Sequence, residues 1–332
     1  MGKATITIRI DDRVRMLSTL LALTTWPEQE QALHPHGTHA HVHRVREALA
    51  HAEEHAAAVT MQEMLESGLS LDVVFSYVNV LSWPGIRARA GELPSWAPEH
   101  WSTQMRDFMH ANRVSDIWAR DKVAWSEAEQ QAIRALAKGD PLDLLTRVFG
   151  LQADSLIFQP NLSYPTEQTI GFRADKTLIA VVPPPVAWGT NPPWPYDDNP
   201  ADPYREAFST YARILLGEMI AASPESQELI HKNRLPVPNT FLARHPDVID
   251  QFSTLLVSGL TAIALEEVHG EVEAKSYLVM THKAHGFQAL PAVIDVLRHY
   301  LGEQAAGKFT SFAEYLPSFF NSLRIADRLK KM

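Results

Sequence analysis

The residues with the most chemical meaning are Gly217-Glu218-Met219-Ile220-Ala221. With histidine at 217 and 221 they would read HExxH. In that motif two imidazoles at i and i+4 share one helical face and ligate zinc, while the glutamate activates a water. Here Glu218 is retained, and both ligand positions carry side chains with no donor atom. Glu218 is the candidate general base, inactive without a metal, and Gly217 and Ala221 mark the degraded ligand positions. The expectation is no metal and no other cofactor. A plainer account stands beside it: Gly217 and Ala221 are a small-xxx-small pair that would let another helix or a sheet approach closely, with Glu218 paired to a lysine or arginine.

Other donor groups compete for attention. His34, His36, His39, His41 and His43 fall within one short stretch, and His51-Ala52-Glu53-Glu54-His55 matches the inverted zinc motif HxxEH. The helix expected to carry this match is strongly polar, with Arg44, Arg46, Glu47, Glu53 and Glu54, and its apolar content is mainly alanine. The tract is read as a solvated helix and loop, with weak metal binding and a catalytic site as alternatives. Glu266, Glu267, Glu271 and Glu273, with His269, read as a charged helical face. His282 and His285 are either polar residues suited to a helix end or donors left from catalysis. The chain has no cysteine, which removes disulfides, cysteine zinc sites, iron–sulfur clusters and thiol nucleophiles. No phosphate-binding loop, dinucleotide fingerprint or GxSxG elbow occurs.

The elements that must position these groups follow from periodicity. Tyr204–Ser223 is a helix with an apolar stripe of Phe208, Tyr211, Ala212, Leu215, Met219 and Ala222, started by Asp202 and Pro203. Ahead of it, Ser155–Phe158, Gln168–Arg173 and Thr177–Val182 read as short strands. A proline-rich loop from Pro183 to Pro203 carries Trp188, Trp194 and Tyr196 and has the length of a lid or binding loop. Residues 1–150 read as mostly helical, from a helix capped by Asp11 or Asp12 through a long helix at His41–Glu66 to helices at Trp96–Asn112, Trp125–Lys138 and Pro141–Phe149. Leu71–Leu81 fits helix or strand. After the degraded motif the chain returns to helices at Pro246–His269, Val272–His285, Leu290–Leu301 and Ser311–Ile325. The fold class is α+β and predominantly helical, with a small mixed sheet preceding the motif helix. The division is 1–150 and 151–332, or one continuous domain.

This order carries a resemblance. Ile8-Arg9-Ile10-Asp11-Asp12-Arg13-Val14, the apolar helix after it, Leu156-Ile157-Phe158-Gln159-Pro160-Asn161-Leu162, His285-Gly286-Phe287 and the GExxA helix together resemble a bacterial domain-of-unknown-function family. Its better-preserved members have an intact HExxH helix and a zincin-like, gluzincin-type metallopeptidase core. The resemblance implies that residues 151–332 form a zincin-like core, with a carboxylate once offered from a later helix. The helix at Phe252–Leu256 is the expected place for it, but Ser253 and Thr254 stand there. Glu266 or Glu267 is the substitute.

Bulk properties narrow the class. Among 332 residues, 45% are hydrophobic and 21% charged, as in globular proteins. The net charge of −9 argues against nucleic acid as a partner. The N-terminus lacks a signal-peptide core, and no run is read as approaching the roughly 18 apolar residues of a membrane span. The expectation is therefore a cytoplasmic protein with no membrane partner. The first functional expectation is a non-catalytic, metallopeptidase-like protein that binds a peptide or protein segment. Its cleft would lie between Thr177–Val182 as an edge strand and the helix of Glu218, with Tyr211, Trp188, Trp194 and Tyr196 as substrate-binding residues. The alternatives are an active metallohydrolase with substitute ligands such as His231, His245 or His282, and a purely structural scaffold.

Overall fold

The computed structural model describes residues 6–89, 91–150 and 155–331. Helices dominate, and four strands form one small mixed sheet. Contacts divide the chain into two compact units interleaved in sequence. One comprises Thr7–Ala137 with Ile157–Pro203. The other comprises Met1–Ile6, Lys138–Leu156 and Tyr204–Met332.

The first unit starts with β1 (Thr7–Ile8) and α1 (Asp12–Leu21). Asp11 is the cap: its carboxylate accepts from the Arg13 amide at 2.9 Å, satisfying one of the free N–H groups of the first turn. There follow α2 (Trp26–Leu33), α3 (Ala40–Leu49), α4 (Ala56–Glu66), α5 (Leu71–Ser76), α6 (Trp101–Ala111), α7 (Val114–Arg120) and α8 (Lys122–Ala135). The strands are β2 (Ser155–Pro160), β3 (Ile170–Ala174) and β4 (Thr177–Val182), in the order β1-β2-β4-β3. β1 runs parallel to β2, and β3 antiparallel to β4 with Phe172 opposite Ile179. Alternate residues Ile170, Phe172, Ile179 and Val181 share one face and join the core made by α1, α4, α5 and α6. Trp101, fully buried, anchors that core: its indole N–H donates to the Ala57 carbonyl and its ring lies 4.7 Å from Tyr77.

The long helix expected at His41–Glu66 is three elements. α3 ends at Leu49, a 3-10 turn spans Ala50–Ala52, and α4 restarts at Ala56. The cause is local. His55 adopts extended backbone and its Nδ1 accepts from the Ala57 amide, so it caps a new helix instead of continuing the old one.

The second unit holds α9 (Pro141–Phe149), α10 (Ala201–Ala221, its first three residues counted with the other unit), α11 (Pro224–Lys232), α12 (Asn239–Arg244), α13 (Val248–His269), α14 (Glu271–His285), α15 (Leu290–Ala305) and α16 (Phe312–Lys331). α13 is the centre, buried without a break from Gln251 to Leu265 and packed by α11, α14 and α15. It is long and apolar enough to cross a membrane, contrary to the sequence expectation. However, most of its apolar stretch is buried among protein, the pattern of a core helix. Gly259 is what lets α15 come close: a Cβ there would stand 2.8 Å from Val293 Cγ1 and 2.9 Å from Leu297 Cδ1.

Candidate functional site

α10 begins at Ala201, three residues before the expected start, where Asn199 Oδ1 accepts from the Ala201 amide. Pro203 lies in the first turn, where a missing N–H leaves no helical bond unmade. The buried side of α10 comprises Tyr204, Ala207, Phe208, Tyr211, Ala212, Leu215, Leu216 and Ile220. Met219 is only partly buried and Ala222 is exposed, so the expected stripe ends earlier than its periodicity suggested. Gly217, Glu218 and Ala221 are all exposed. A Cβ built on Gly217 meets nothing within 4 Å. The small-xxx-small account is thereby corrected: the pair does not hold a close neighbour, and that role belongs to Gly259. At 217, 218 and 221 there is one carboxylate and no imidazole, a donor set that does not fit a zinc ion with three protein ligands.

The residues expected to line a peptide cleft are divided between the two units and differ in exposure. Tyr211 is fully buried, and burial pushes its phenol well above the ordinary range. Tyr196 is also fully buried, in the other unit. Its hydroxyl donates to the Val182 carbonyl at 2.6 Å and accepts from the Asn161 amide at 3.1 Å, and its ring packs edge-on against Phe158. Both are packing residues and present no surface to a ligand. Trp188 is 82% exposed and Trp194 is 39% exposed. The loop that carries them is tied down. Arg134 on α8 pairs with Asp197 at 2.6 Å, the Gly37 amide donates to the Gly189 carbonyl, and a Cβ at Gly37 would collide with the Asn191 carbonyl. Tyr196→Phe is expected to lower stability by about 1 kcal/mol, because the two hydrogen bonds of the hydroxyl are lost while the Asn161 amide keeps its bond to the Val182 carbonyl at 2.9 Å. Urea unfolding measures it.

Thr177–Val182 is not an edge strand. β4 lies between β2 and β3, so no peptide can pair with it. The edge on that side is β3, and two of its backbone groups are occupied. Asp72 accepts from the Gly171 amide at 2.7 Å, and Asn79 donates to the Arg173 carbonyl at 2.7 Å. Side chains of the helical segment beside β3 thus blunt the edge a peptide would use.

The histidine tract is spent on structure. His36 hydrogen-bonds Thr166, His43 bonds Thr38, His39 caps α3, and His51 bonds Asn112 at 3.0 Å. The HxxEH match straddles the break between α3 and α4, so its histidines do not share a helical face. Glu266 and Glu267 pair with Arg298 and Arg147. His231 bonds its own helix at Gln227, and His245 bonds Asp250 at 2.6 Å. His285 stacks on Phe287 at 5.2 Å. Among the described residues no group of three or more His, Asp or Glu stands placed to share a metal ion.

One buried constellation was not legible in sequence. His41, fully buried, faces Asp121 at 2.7 Å, and Arg44 pairs with the other carboxylate oxygen. Burial pushes the Asp121 carboxyl up, but the Arg44 and His41 hydrogen bonds and charges outweigh it and hold it below its usual value. Burial drives His41 down to about 4, against the pull of Asp121. Arg15 lies between the Trp118 and Trp125 rings, 4.3 and 4.4 Å from their centroids, and burial lowers its pKa as well. The partners are 80 residues apart in sequence, and only His41 belonged to a suspected cluster.

No protein-family model matches the chain, and neither a curated protein nor a solved structure matches it.

Proposed function

We propose that this chain is a non-catalytic, metallopeptidase-like protein whose α10 keeps the glutamate of a zinc motif without its ligands, and which engages a peptide or protein segment. The observation that carries the reading is the open face of α10. Glu218 and both ligand positions are exposed on one helical side, and position 217 has room for a larger side chain. The candidate substitute ligands each have another partner or stand apart, which weighs against an active site with replaced donors. With β4 internal and β3 blunted, recognition of a segment rests on side chains, above all the exposed Trp188 on its anchored loop.

Restoring both ligands tests the ancestry. Gly217→His with Ala221→His would put two imidazoles at i and i+4 around Glu218. The double variant is expected to fold and to bind zinc measurably in isothermal titration. Its affinity should fall about 10–100-fold short of a complete site, because the groups that orient ligating histidines are missing. A folded double variant that takes up no more zinc than the wild type would remove the basis for the reading.

A further inference from the structure

α12 is held to the end of α14 by few contacts. It is six residues long, and Phe241 is the side chain it buries. Phe241 packs into a cluster of four rings, its centroid 4.3 Å from that of His245, the residue that ends α12, and 4.6 Å from that of Phe287. His285, at the end of α14, stacks on Phe287 at 5.2 Å and stands 6.4 Å from both Phe241 and His245. Beside the rings, Arg244 donates to the Ala284 carbonyl at 2.8 Å. A segment anchored by one buried side chain opens more readily than a core helix such as α13, and two of the four rings that anchor this one can take a proton.

The setting of His285 suits a neutral ring. Its Nδ1 is buried and has no hydrogen-bond partner among the described residues. In the Nε2–H tautomer that atom is a lone pair, and a second proton would turn it into a buried N–H without an acceptor. The groups around it are mainly basic: Arg244 and His245 on the α12 side, and His282 and Lys283 just before it on α14. The carboxylates at the start of α13 are engaged elsewhere, Asp250 with His245 at 2.6 Å and Asp247 with the Asp250 amide at 2.8 Å. The free carbonyls at the end of α14 favour a cation. Burial, then His245 and Arg244, outweigh them and hold His285 below its ordinary value. We propose that His285 is an acid-operated latch, in which one proton on its ring frees α12 from the end of α14 while α13 stays folded. Undocking gives Nδ1–H water as an acceptor and separates the new charge from Arg244 and His245. The docked form takes the proton less readily than the undocked one, so docking is complete at neutral pH and weakens as pH falls below the range of a free imidazole. The proposal does not depend on the reading of α10.

Amide hydrogen exchange of the full chain between pH 7.5 and pH 5, divided by the intrinsic exchange rate at each pH, tests it. The Leu242 and His245 amides, bonded to the Pro238 and Phe241 carbonyls, report on α12. They are expected to lose about tenfold in protection over this range, one proton being taken up per opening. The amides of Leu255–Leu265 on α13 should remain the better protected at every pH. In His285→Phe, which keeps a ring against Phe287 and cannot titrate, the α12 amides should hold their protection. His285→Gln, also neutral, serves the same purpose should His285→Phe fail to fold. The proposal is overturned if α12 protection does not change with pH, if the loss persists in these variants, or if α12 and α13 lose protection together, which would be unfolding of the whole unit.

Discussion

Acidification from pH 7 to pH 4 is expected to remove on the order of 3 kcal/mol of stability through His41, at roughly 1.4 kcal/mol per pH unit. The folded-state pKa, about 4, lies below the ordinary 6.5 because burial disfavours the imidazolium. Asp121 does not reverse this, since Arg44 already neutralises it and Arg15 adds a second cation nearby. As pH falls through 6.5 the unfolded chain takes up a proton that the folded chain refuses. The contribution is therefore complete above 6.5 and is lost progressively on the way to 4. Urea unfolding across this range, with His41→Leu beside the wild type, isolates the effect. The variant should be less stable at neutral pH, having orphaned one side of Asp121, and its stability should fall less steeply on acidification. Equal slopes in the two proteins would mean that His41 titrates normally and is not sealed by its surroundings.

The second large effect concerns two glycines that read alike in sequence and stand in opposite environments. Gly259→Ala should destabilise, because a Cβ would press on the stiff Val293 and the buried Leu297, and overpacking of about 1–3 kcal/mol exceeds the helix-propensity gain of about 1 kcal/mol. Gly259→Val adds two methyl groups to the same contact and should cost about 3 kcal/mol. Gly217→Ala meets nothing within 4 Å and should stabilise by up to about 1 kcal/mol. Opposite shifts in thermal midpoint support the exposed face on which the α10 reading rests. A destabilised Gly217→Ala would place a neighbour on that face.

Much of the architecture was legible from local pattern. Thr177–Val182 has the same bounds as β4, and the apolar periodicity after residue 246 led to α13, α14 and α15 within a few residues. What failed did so for identifiable reasons. α2 leaves no sign in the sequence because Pro27 and the polar run after it carry no apolar stripe, although Pro27 is well placed in a first turn. α11 and α12 are short, and neither shows a sustained period. Residues Leu71–Val80 are helical, as α5 followed by a 3-10 turn, because Ser70 caps them and α5 packs on β3, while Leu81 is extended and bridges Ala88. The candidate site was legible only as a motif. Exposure of Glu218, burial of Tyr196 and Tyr211, and the internal position of β4 are decided by tertiary packing that no local pattern records.

The central claim is that Glu218 stands without metal ligands on an open helical face. Elemental mass spectrometry of protein purified without added metal, repeated after mild chelation and joined to thermal unfolding with and without chelator, tests it directly. The account predicts zinc far below one per chain and an unchanged thermal midpoint. One tightly held zinc per chain, removed only with a fall in that midpoint, would contradict it.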